Sequence, residues 1–113
     1  MELVSVRALP SSSRKKLVAR FRDRNGSEFS VKFGARGYAD YTTHKDKERR
    51  SRYWQRHRKD LNTGRPWMPG YLSFFVLWNK KTVGASVDDY KRRLRHWNNT
   101  GYFPISHKWR RRS

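Results

Sequence analysis

Two runs with an apolar residue at every second position flank the tetrapeptide Asp23-Arg24-Asn25-Gly26. Leu17, Ala19 and Phe21 alternate with Val18, Arg20 and Arg22; Phe29, Val31 and Phe33 alternate with Ser30 and Lys32. A period of two puts each set on one face of an extended strand. Asn-Gly is the strongest short-range hairpin signal, since both residues tolerate positive φ. The segment 16–33 is therefore predicted as a β-hairpin, apolar on one side and basic on the other. A lone hairpin is marginal in water, so its apolar face requires a partner layer.

The helical patterns that follow supply one. After the breaker Gly34-Ala35-Arg36-Gly37, Thr43 with Asp46 three residues on suggests a capping box opening a helix that runs to about Lys59. Arg50, Tyr53, Trp54, His57 and Leu61 keep a 3–4 spacing along it. Residues 62–70 form a turn-rich linker, and Tyr71–Trp78 is the most apolar stretch, read as a buried short helix in preference to a strand. Thr82 is expected to cap a last helix in which Val83, Val87, Tyr90, Leu94 and Trp97 keep a 4-3-4-3 rhythm, ended by Asn98-Asn99-Thr100-Gly101. The hairpin is expected to pack on this last helix, with Val31 largely buried. The fold class is α+β, a β-hairpin packed with two or three helices and carrying extended basic termini. Residues 16–101 form the domain, residues 1–15 an extended basic lead-in, and residues 102–113 a basic aromatic tail.

Charge narrows the function. The chain of 113 residues carries 28 Lys+Arg against 9 Asp+Glu, a formal net charge of +19. Such a chain repels itself when compact, and an acidic partner relieves the repulsion. From His44 to Asp60, eight Lys/Arg oppose three Asp/Glu, a net of +5 (8 − 3). Arg49, Arg50, Arg52, Arg56, Arg58 and Lys59 encircle that helix. Arginine keeps its charge when desolvated and bonds carboxylate or phosphate in bidentate fashion. The tail Lys108-Trp109-Arg110-Arg111-Arg112 repeats the theme. These eleven residues are the candidate partner-binding set.

The chain has no cysteine, which excludes disulfides, thiolate metal sites and cysteine nucleophiles. The first residues lack a signal-peptide layout, and Tyr71–Trp78 is far short of the roughly 20 apolar residues of a spanning helix, so a soluble or peripheral protein is expected. Asp40, His44, Asp46 and His57 are the only cluster resembling a metal-dependent nuclease site. Helix capping by Asp46 and helix packing by His57 explain the same residues, so no catalytic residue, metal or cofactor is assigned. Gly34-x-x-Gly37 beside Arg36 reads as a phosphate cradle or, with better reason, as a plain loop.

One resemblance adds a setting. The run Phe33-Gly34-x-x-Gly37-x-x-Asp40-x-Thr42-x-His44-Lys45-Asp46, then Arg49, Tyr53, Arg56 and His57, resembles a small basic protein family of large icosahedral DNA viruses of algae and protists, the chloroviruses and their relatives. The likeness continues through Gly70-Tyr71-x-Ser73, Leu77-Trp78-Asn79-Lys80 and Thr82-Val83-x-x-Ser86, about residues 29–94. It departs at Pro66–Pro69, where the linker is lengthened, and at Lys81, where the family often has proline. The resemblance implies a virion setting. The expected function is a non-enzymatic minor capsid protein bridging neighbouring subunits, located in the capsid interior and in the host cytoplasm during assembly. Its expected partners are capsid or other virion proteins, with an inner-membrane surface as a further acidic neighbour and no small-molecule substrate. The alternative is a nucleic-acid-binding protein, condensing virion DNA or embedded in RNA as ribosomal proteins are.

Overall fold

The computed structural model describes residues 1–109. Three antiparallel strands, β1 (Glu2–Ala8), β2 (Lys15–Arg22) and β3 (Glu28–Ala35), form one sheet in the order β1-β2-β3. Four helices follow: α1 (Tyr41–His44), α2 (Lys47–His57), α3 (Pro69–Leu72) and α4 (Val83–Thr100). A 3₁₀ turn (Arg58–Leu61) ends α2, and a π-helical segment (Ser73–Leu77) continues α3.

The expected hairpin forms, with its apolar residues paired across the two strands. Leu17 faces Phe33, Ala19 faces Val31 and Phe21 faces Phe29, with the last two rings stacked at 5.4 Å. Its loop is longer than a two-residue Asn-Gly turn. Five residues, Asp23–Ser27, separate the last pair Arg22–Glu28, and only Gly26 has positive φ (84°). The Asp23 carboxylate accepts from the Asn25 and Ser27 amides at 2.9 and 3.0 Å, so an Asx turn sets the loop.

The sheet also has a strand that sequence reading placed outside the domain. Glu2–Ala8 pairs along β2, with an irregularity between Leu3 and Ser5, and Leu3 is buried. The physical reason is that Leu3 and Val6 stand opposite Phe21 and Ala19 and extend the same apolar face.

Beneath the sheet lies the apolar run. Leu72, Phe74, Phe75 and Val76 are fully buried, which a segment apolar all round requires. It packs against β3 on one side and α4 on the other, while α4 also meets β1. The sheet thus reaches α4 mainly through this buried helix, although Phe21 meets the Tyr90 ring at 6.4 Å. Val31 is half-buried, because β3 is an outer strand.

Residues beyond α4 are part of the same core. Phe103 is 6% exposed, with its ring 5.2 Å from Phe75 and 5.4 Å from Tyr71. Arg93, wholly buried, holds this tail: its guanidinium donates to the carbonyls of Pro104 and Ser106 at 2.7 and 2.9 Å and to Asp89 at 2.7 Å. The predicted boundary at residue 101 therefore moves to include the tail through Trp109, since Phe103 supplies core area that α4 alone lacks.

Candidate interface for an acidic partner

Two aspartates build the region around α2. Asp40 caps α1 through the Thr42 amide, and Asp46 caps α2 through the amides of Glu48 and Arg49 at 3.0 and 3.2 Å. Lys45 between them has left-handed backbone (φ 57°), so the predicted Thr43–Asp46 capping box does not form. Asp46 sits at the cap itself rather than three residues inside the helix. Hydrogen bonding to the Arg49 amide holds its carboxyl below the usual range.

From these caps α2 divides into two faces. Arg49, Arg52 and Arg56 are exposed at 3–4 spacing, and Arg58 and Lys59 continue the exposed charge into the 3₁₀ turn. Glu48 lies 4.0 Å from Arg52, both largely exposed, an ion pair of little energetic weight, while Asp46 is committed to the α2 cap and Asp60 to His57.

The inner face is aromatic and occupied. Tyr53 is stacked between His57 at 4.1 Å and Trp78 at 4.2 Å. Trp54 packs on Phe74 at 4.2 Å and donates its indole N–H to the Trp78 carbonyl. Arg50 belongs to this face too. It donates to the Asn79 carbonyl at 2.9 Å and lies 4.6 Å over the Tyr41 ring, so it tethers α2 to the chain and leaves the partner-facing set.

The tail divides likewise. Lys108 is exposed. Trp109 is half-buried, 5.5 Å from both the Arg93 guanidinium and the His96 ring. Arg110, Arg111 and Arg112 lie outside the described residues.

The candidate nuclease residues do not converge. Asp40 and His57 line one groove, but Asp40 is engaged by Lys16 at 2.8 Å and by Thr42, while His57 meets Asp60 at 3.0 Å. His44 accepts from the Asp46 amide through Nδ1. Burial and Arg49 lower its pKa. Among the described residues, no three His, Cys, Asp or Glu side chains come together as a metal site, and no helix is long and apolar enough to cross a membrane.

The groove itself was not apparent from the sequence. It encloses about 490 Å³ between the β2–β3 end of the sheet, α2 and the start of α3. Lys15 and Lys16 stand on one wall, Arg49 and Arg56 on the other. The floor includes Gly34 and Gly70, and Tyr38, 74% exposed, stands at the rim. The Tyr53 hydroxyl is pushed up to about 12 by burial, with Asp60 adding to the shift. Gly34 is needed for packing: at φ 82°, a Cβ there would lie 2.8 Å from Leu77 Cδ1. The Gly34-x-x-Gly37 segment is thus a packed strand end at Gly34 followed by an open turn at Gly37. The local signal that sequence reading passed over is an aromatic residue, Tyr38, directly after the Gly34–Gly37 break.

Residues 4–57 match the model of a family of unknown function, DUF5754. The matched region runs from β1 to the end of α2, and so includes the sheet and the arginine helix. No curated protein and no solved structure matches the chain.

Proposed function

We propose that this chain is a non-enzymatic docking protein whose α2 arginine face binds an acidic surface of a larger protein assembly. In the setting implied by the viral resemblance, it is a minor capsid protein that bridges neighbouring subunits of a virion. The observation that carries this reading is the exposed row Arg49, Arg52, Arg56, Arg58 and Lys59, beside which Asp46 is committed to the α2 cap, Asp60 to His57, and Glu48 makes only a long exposed pair with Arg52. A solvated helix face mixes its signs, and one that serves an acidic partner does not.

Binding of nucleic acid is the alternative for the same cations. Single-strand binding uses exposed rings as stacking platforms. Here the rings carried by α2, Tyr53 and Trp54, are engaged within the chain, so its arginine row has no stacking platform of its own, which supports a protein partner for that row. The exposed rings among the described residues are Tyr38 and Tyr102. The test is co-sedimentation of the chain with the assembly that contains it. Reversing Arg52→Glu together with Arg58→Glu should release it, lowering the bound fraction about tenfold at equal ionic strength. Undiminished co-sedimentation of the folded variant contradicts the proposal.

A further inference from the structure

The groove beside α2 combines three properties that bulk positive charge does not require. It is concave, its rim carries an unpaired ring, and its charges are arranged in a pattern. Lys15, Lys16, Arg49 and Arg56 contribute four cations against the two carboxylates of Asp40 and Asp60. Each carboxylate is already satisfied inside the groove, Asp40 by Lys16 and Asp60 by His57. Arg49 and Arg56, by contrast, are exposed on the α2 wall.

Apolar surface lies between these charges. Ala35, Tyr38, Ala39 and Pro69 line the groove and are exposed, and the glycines of the floor offer backbone without side chains. Tyrosine and arginine around a concave centre are the residues that dominate binding energy at protein interfaces. Asp40 and Asp60 are engaged by Lys16 and His57, which leaves Lys15, Arg49 and Arg56 for an incoming acid. The apolar patch among these cations suits a peptide side chain beside its carboxylates, which a phosphate backbone does not offer.

We propose that this groove receives a short acidic segment of the partner protein, with one apolar side chain against Tyr38 and Pro69 and flanking carboxylates on Arg49 and Arg56. This rests on the docking reading above and adds to it the chemistry of the occupant. The groove is the specific anchor, and the outer row Arg52, Arg58 and Lys59 supplies general attraction.

The experiment titrates the full chain with three probes, followed by isothermal titration calorimetry: a blocked aspartate-rich peptide with one central leucine, the same peptide with serine at that position, and a short oligothymidylate. The leucine peptide is expected to bind about tenfold more tightly than the serine peptide. Arg49→Glu or Arg56→Glu should weaken it about tenfold, and Arg52→Glu or Arg58→Glu, identical changes in net charge, less than about twofold. Ala39→Trp, a plug at an exposed lining position, should abolish the leucine preference; Ala35→Trp serves the same purpose should Ala39→Trp fail to fold by circular dichroism. Equal binding of the two peptides overturns the proposal, as does equal sensitivity to all four charge reversals. Tighter binding of oligothymidylate that competes with the peptide overturns it in favour of a nucleic-acid groove. Retention of the docking defect of Arg52→Glu with Arg58→Glu, alongside any of these results, leaves the docking reading intact and removes only the groove's occupant.

Discussion

Arg93 shows how a single buried charge can organise a basic chain. Its partners Asp89, Pro104 and Ser106 are fixed, and the Phe75 ring lies 4.8 Å below the guanidinium. Burial lowers its pKa, and Asp89 offsets part of that effect. Removing one partner of such a pair leaves the other charge buried, so Arg93→Ala should cost about 3–5 kcal/mol in urea unfolding. A loss below about 1 kcal/mol would mean that the tail is held by Phe103 alone. His107 belongs to the same tail. Its Nδ1 is buried without a partner among the described residues, the ring meets Trp54 at 4.7 Å, and burial followed by Arg50, Lys80 and Arg93 lowers its pKa to about 4. The native state thus favours the neutral ring. Above the ordinary value of 6.5 both states are neutral and the contact keeps its full stability. As pH falls from 6.5 towards about 4 the unfolded chain binds the proton first, so stability declines through that window. The difference in melting temperature between wild type and His107→Gln should shrink from pH 7 to pH 4; a constant difference contradicts the assignment. Neither residue was legible in advance. Arg93 looks like one more surface cation on α4, because periodicity assigns faces and says nothing of a tail that returns over one of them.

At the scale of elements, alternation and helical rhythm were enough to place β2, β3, α4 and the arginine face of α2. What periodicity could not show was pairing at a distance. Glu2–Ala8 has the composition of a strand but acquires its role only from Leu3 and Val6 lying opposite Phe21 and Ala19. Leu3→Ala is therefore expected to cost about 2–4 kcal/mol, a core rather than a terminal effect, measured by chemical unfolding. The Gly34 contact is a second case. The loop after the hairpin was legible as a break, but the approach of Leu77 that requires glycine was not. Gly34→Ala should destabilise more than Gly37→Ala, since both have positive φ but only Gly34 would place a Cβ against a neighbour. Equal effects on melting temperature would show that Leu77 moves aside. The groove has the same origin: its walls come from β2, β3, α2 and α3, and no local pattern joins them.

For the whole molecule the charge of +19 is the organising quantity. The few acids are concentrated where they cap helices or pair cations: Asp40 with Lys16, Asp46 at α2, Asp89 with Arg93, and Glu2 and Glu28 with Arg22 on the solvent face of the sheet. The excess of positive charge is left at the surface, with α2 as its most continuous row. The central claim is that this row faces protein. It is tested most directly by placing a photoreactive phenylalanine at position 52, irradiating the native assembly and digesting the adduct separately with nuclease and protease. The account predicts an adduct of fixed larger mass that resists nuclease and is cleaved by protease into a peptide rich in Asp or Glu. An adduct that collapses to the free chain on nuclease treatment would contradict it.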